Sequence, residues 1–144
     1  NKKYLYIKIA LNNMLTKRNS TIQGNVGLGH AIQYFTSQGY IVSIPLNDSQ
    51  AYDLVVDMGD GLKRVDVKTT RLKDSRRKNS PYIVTIKQHN SSGKKIFDPT
   101  TKDYLFVLTE LGTQYLIPSD AVWQRTELHL GKKYDQYILP FNSE

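Results

Sequence analysis

An α/β fold, a small mixed β-sheet flanked by helices, is predicted by three features of the 144-residue sequence. Leu28, Ala31, Ile32 and Phe35 recur at i, i+3, i+4 and i+7, which lays an apolar stripe along one helix. Short runs rich in β-branched and aromatic residues follow, each bounded by turn chemistry. The length suits one domain with a real core, residues 1–144, and is short for two.

Composition narrows the chemistry. Hydrophobic content of 39% and charged content of 23% are those of an ordinary globular protein. Absence of cysteine excludes disulfides, zinc–thiolate sites and thiol nucleophiles, and suits a reducing, cytoplasmic setting. No apolar run approaches the ~20 residues of a membrane span, so no membrane partner is expected. The histidines at 30, 89 and 129 lack metal-ligand spacing, and no G-x-S-x-G serine-hydrolase motif occurs.

Residues 1–21 are expected to form an N-terminal helix or extension, with Tyr4, Ile7 and Leu11 at helical spacing and Met14 a candidate internal start. Ser20 or Thr21 caps the next helix, predicted over 22–37 and closed by Gly39. On it Leu28 belongs to the core stripe and His30 lies off it. Gly24, Gly27 and Gly29 do not make a phosphate loop, since no strand precedes them and no Gly-Lys-Ser/Thr follows. Closely spaced small residues instead let the helix approach the sheet or a second subunit.

A strand is predicted over 40–44, stopped by Pro45. Tyr52–Thr70 then reads as a hairpin turning at Asp60-Gly61 in a two-residue type I′ loop. That register sets Asp57 opposite Arg64 and Asp53 opposite Lys68. Alternation puts Leu54, Val56, Met58, Val65 and Val67 on a core face, and Asp53, Asp57, Arg64, Asp66 and Lys68 on the other. Further strands are expected over 82–88, 104–109 and 113–117, the last two as a hairpin. Ser119–Leu128 is predicted as a short helix capped by Ser119. Tyr134, Tyr137, Ile138 and Phe141 in the tail pack against the body or a partner. Trp123 and the ten tyrosines are read as packing residues.

The charged face of the hairpin fits two readings. One is a solvated surface with cross-strand ion pairs, Asp57–Arg64 and Asp53–Lys68. The other is a hydrolytic site in which Asp53 and Asp66 hold a hard divalent cation and Lys68 supplies positive charge near an attacking water.

Asp53, twelve residues, then Asp66-Val67-Lys68 resembles the signature of the PD-(D/E)xK nuclease superfamily. With the glycine-rich helix Gly24–Tyr40 and a strand ahead of Asp53, the run to about Leu72 looks like the branch containing a bacterial group I intron homing endonuclease. The resemblance implies a restriction-endonuclease-like core over residues 22–90. Residues 91–144 would add strands and a helix for oligomer or DNA contacts. It also implies Mg²⁺ on Asp53, Asp66 and the carbonyl of Val67, with Lys68 helping to polarise the water that attacks a phosphodiester. The chain departs from the pattern at three places. Tyr52 stands where Pro is usual, and Asp66 stands where relatives often carry Gln or Glu. Leu28 occupies the position from which the helix usually offers a Glu.

The net charge of +7 is unevenly placed, with eight basic residues against two acids between Lys63 and Lys78. Beside a candidate active-site strand, this points to a polyphosphate partner, double-stranded DNA. Arg71, Lys73, Arg76, Arg77 and Lys78 form one basic loop, and Lys87, Gln88, His89, Lys94 and Lys95 a second. Between them they frame a ribbon able to enter a groove, with lysine and arginine on phosphates and Gln88 or His89 at base edges. One site per chain implies a homo-oligomer for cutting both strands, a dimer or, by the resemblance, a dimer of dimers. A Holliday-junction-resolving nuclease and a catalytically impaired DNA-binding protein are the alternatives within this fold. A basic scaffold or RNA-binding domain is the reading outside it.

Overall fold

The computed structural model describes residues 20–47, 49–73, 78–89, 93 and 95–140. The expected N-terminal helix or extension lies outside them, apart from its last two residues. Helix α1 (Ser20–Ser37) is followed by β1 (Ile41–Ser43), β2 (Leu54–Asp57) and β3 (Leu62–Thr70). The connection onward carries β4 (Ile83–Thr85), β5 (Gln88–His89), β6 (Lys95–Ile96) and the 3₁₀ turn Pro99–Thr101. Strands β7 (Tyr104–Thr109), β8 (Gln114–Pro118) and β9 (Glu127–His129) complete the order, with 3₁₀ turns at Ser119–Ala121 and Lys132–Tyr137.

Five strands form one mixed sheet in the order β1-β2-β3-β7-β8. The pairing of β3 with β7 is parallel and the others are antiparallel. Two small ribbons, β4–β9 and β5–β6, stand beside it. The sheet is covered on both faces. Ala31 and Phe35 of α1 bury against Leu54, Val56, Val65, Phe106 and Leu108 on one side. On the other, Val84, Ile86, Phe97, Val122, Leu128, Leu130 and Tyr134 close over Leu105, Val107, Tyr115 and Ile117. A fully buried side chain of this kind contributes about 1.5–3 kcal/mol. The second layer covers the β7–β8 half of its face and leaves the β2–β3 half for charged residues.

The hairpin differs from the expected one at its tip. The Cα partners are Leu54↔Val65, Val55↔Arg64, Val56↔Lys63 and Asp57↔Leu62, a shift of two residues. The loop is Met58–Gly61, with positive φ carried by Gly59 and Gly61 rather than by Asp60. Glycine adopts that conformation without a Cβ penalty, and Asp57 stabilises the loop by accepting from the Gly59 amide at 2.9 Å. A two-residue shift preserves both faces, but it moves Asp53 one step beyond the Leu54–Val65 pair and hence beside Asp66.

The helix expected over Ser119–Leu128 is a second correction. Only Ser119–Ala121 makes a helical turn, Pro118 stands at its cap position, and the buried Ser119 Oγ has no hydrogen-bond partner among the described residues. Leu128 and Leu130 are buried while His129 between them is exposed, a strand's period of two. Trp123, expected to pack, is 75% exposed with Lys133 Nζ 4.1 Å above its ring. No helix among the described residues is long and apolar enough to cross a membrane.

Candidate active site

The site lies where β3 passes from its antiparallel partner to its parallel one. Strand β3 places Asp66 and Lys68 on the face opposite α1, because Val65 and Val67 point into the helix side. Asp53 joins them from the end of β2. Its amide donates to the Val65 carbonyl at 2.9 Å, and its Oδ2 accepts from the Val67 amide at 2.7 Å. The strand that carries the second acid and its lysine is therefore tied to both the backbone and the carboxylate of Asp53.

Asp66 is only 2% exposed and is held at both oxygens. Lys68 Nζ donates to Oδ1 at 2.7 Å and Lys102 Nζ to Oδ2 at 3.1 Å. Gln88 Nε2 lies 3.4 Å from the same Oδ2, and Gln88 Oε1 accepts a short hydrogen bond from Lys102. Removing one member of such a buried pair typically costs about 3–5 kcal/mol. Asp53 keeps an exposed outer edge. Even so, burial of its carboxyl pushes it above the ordinary range; the Val67 amide opposes the rise, and the Asp66 charge adds to it. Burial lowers the Lys102 ammonium, and the Asp66 carboxylate opposes that fall.

The Asp53 carboxyl, whose ionised form the neighbouring Asp66 charge disfavours, and Asp66 beside it suit a hard cation between them. Among the described residues no group of three or more His, Cys, Asp or Glu is arranged to hold a metal. A magnesium ion needs no such cage, because one or two carboxylates, waters and substrate oxygens commonly complete its shell. The donor set fits.

The cross-strand ion pairs expected for a solvated face are not the ones formed. Arg64 pairs with Asp103, its Nε 3.1 Å from Oδ2, and its amide donates to the same oxygen at 2.7 Å. Helix α1 packs on the opposite face, where Leu28 joins the apolar cluster. His30 is half-buried with Nδ1 3.2 Å from Gln114 Nε2, and burial lowers its imidazole. Leu28 and His30 thus belong to the helix side of the sheet.

The candidate DNA contacts divide. Arg71, Lys73, Lys78 and Lys87 are exposed, with Lys73 Nζ 4.3 Å above the Tyr82 ring. Gln88, read from the sequence as a base contact, has its amide committed to Ala51, Asp66 and Lys102. His89 and Lys95 are paired in the β5–β6 ribbon. Arg76, Arg77 and Lys94 lie outside the described residues. Lys102 was not a sequence candidate. It precedes the apolar strand β7, and only the parallel β3–β7 pairing brings it to Asp66.

A mixed sheet whose β2–β3 hairpin brings together two acids and a lysine is the arrangement of a restriction-endonuclease-like core. The family model described as PD-(D/E)XK endonuclease matches residues 18–137, and the chain belongs to that family. Among solved structures it is similar to that of a bacterial homing endonuclease, I-Ssp6803I. The identity is 25%, over 85% of this chain and 84% of that one, with a TM-score of 0.65. The comparison with curated proteins finds no match.

Proposed function

We propose that this chain is a Mg²⁺-dependent, site-specific double-strand DNA endonuclease of the homing type. The observation that carries the reading is the convergence of Asp53, Asp66 and Lys68 on the open half of the sheet face, next to exposed basic residues. Family membership supplies the nuclease class, and the likeness to a homing endonuclease supports the finer assignment.

Asp53, Asp66 and the Val67 carbonyl would hold the cation. When bound, it would supply Lewis-acid stabilisation of the charge that develops on the scissile phosphate. Asp53 orients its own carboxylate through the Val67 amide. Lys68 keeps a positive charge at the solvent-facing edge, where it can hold the attacking water and receive developing negative charge. Arg71, Lys73, Lys78 and Lys87 would position the duplex through its phosphates, and the β5–β6 ribbon would follow a groove. A dimer, or a dimer of dimers, would place one site on each strand of a two-fold symmetric target.

One observation favours a second reading, a DNA-binding protein with impaired catalysis. By the resemblance, the family's helix usually offers a Glu at the position of Leu28, and here Leu28 packs into the apolar cluster on the helix side of the sheet.

Plasmid cleavage with and without Mg²⁺ tests the first reading. The parent chain should give discrete, mappable fragments only with the metal, and Asp53→Asn should abolish them without abolishing DNA binding. Tight binding of one sequence with no product at any Mg²⁺ concentration would select the second. Preference for branched over linear duplex would indicate junction resolution.

A further inference from the structure

We infer that Lys102 and Gln88 are positioning residues that hold the inner oxygen of Asp66, so that Asp66 offers Oδ1 alone to a divalent cation beside Asp53. This rests on the nuclease reading and adds to it a second lysine with a different task from Lys68.

The two oxygens of Asp66 have unlike partners. Oδ1 faces Lys68, whose side chain is 25% exposed, and Oδ2 faces Lys102, whose side chain is 0% exposed. Lys68 has solvent to withdraw into, and a cation at Oδ1 would replace its charge beside the buried carboxylate. Lys102 cannot withdraw, because leaving Asp66 would strand an ammonium in the interior, with the Phe97 ring 5.1 Å away. The exchangeable partner is therefore Lys68, and Oδ1 is the oxygen that becomes available.

Gln88 closes the arrangement. Its Oε1 accepts from Lys102, and its Nε2 reaches both Asp66 Oδ2 and the Ala51 carbonyl, the latter at 3.2 Å. Ala51 stands two residues before Asp53, so one amide ties together the segments that carry the two acids. The backbone around Lys102 is pinned as well. Asp98 accepts from the Thr100 amide at 2.9 Å, and the Asp103 amide donates to the Arg64 carbonyl at 2.9 Å. Outer partners that orient a metal ligand in this way typically govern about 10–100-fold in affinity or activity.

The charge of Lys102 has its own consequence. Asp53 and Asp66 are offset by Lys68 and Lys102, and only Lys68 can withdraw. Lys102 therefore opposes an incoming cation while fixing the geometry of its ligand. Replacing Lys102 should strengthen cation binding and weaken catalysis, a combination that simple loss of structure does not give.

The test is Ca²⁺ binding by calorimetry and Mg²⁺-dependent single-turnover cleavage on the full chain and on Lys102→Met, Lys102→Arg and Gln88→Leu. Lys102→Met should bind Ca²⁺ roughly tenfold more tightly and cleave roughly 10–100-fold more slowly, with DNA affinity unchanged. Lys102→Arg should restore the parent's Ca²⁺ affinity. Unchanged Ca²⁺ affinity and rate in Lys102→Met overturns the inference, as does weaker Ca²⁺ binding. If Lys102→Met does not fold, Gln88→Leu decides, since it keeps the charge: slower cleavage at parental Ca²⁺ affinity supports the inference and a parental rate overturns it. If the parent itself neither cuts DNA nor binds Ca²⁺, the nuclease reading fails and this inference with it. A cleaving parent matched by its variants refutes this inference alone.

Discussion

Asp103 shows how a single carboxylate ties the site's strand to its parallel neighbour. It accepts from the amide and guanidinium of Arg64, and its own amide donates to the Arg64 carbonyl. The guanidinium hydrogen bond, with smaller help from the backbone amide, holds its carboxyl below the ordinary range. The folded state therefore takes up that proton less readily than the unfolded chain. This stabilisation is complete above the ordinary carboxylate value and is lost as pH falls through the lower, folded one. Urea unfolding between neutral and acid pH should show a smaller acid-side loss in Asp103→Asn than in the parent. Parallel pH profiles would contradict the assignment. The sequence made Asp53, Asp66 and Lys68 legible because their spacing lies within one local hairpin. Lys102 and Asp103 were not legible, since their partners in β3 lie 36 and 39 residues away.

At the scale of the element, α1 sits close to the sheet through one glycine. A Cβ on Gly27 would fall 2.5 Å from Thr69 Cγ2 and 3.4 Å from Val67 Cγ1, whereas one on Gly29 would meet nothing within 4 Å. Gly27→Ala should therefore destabilise by about 1–3 kcal/mol through overpacking. Gly29→Ala should stabilise by about 0.5–1 kcal/mol, since alanine is the better helix former. Equal unfolding midpoints for the two variants would refute the close approach. Helix α1 and the β7–β8 hairpin were readable because period and turn chemistry agree along a short stretch. The hairpin register was not, because Gly59 and Gly61 together outcompete the Asp60-Gly61 turn. The segment after Ser119 misled for a related reason. Its helical-looking start is a single turn, and its apolar residues answer to a distant partner, β4.

At the scale of the molecule, one mixed sheet separates two apolar layers, and the second layer stops short of β2 and β3. That incomplete cover leaves Asp53 and Lys68 reachable while Asp66 and Lys102 remain buried. An α/β class was legible from the alternation of periods. The strand order was not, because the parallel β3–β7 pairing spans the whole connection carrying β4, β5 and β6. On the proposed function, Lys68 serves chemistry as well as pairing with Asp66. Single-turnover cleavage by Lys68→Ala, at saturating DNA and Mg²⁺, tests this most directly. The rate should fall by roughly 10²–10³ while DNA affinity stays within about threefold of the parent. A parental rate in Lys68→Ala would reduce Lys68 to a structural ion pair and contradict the account.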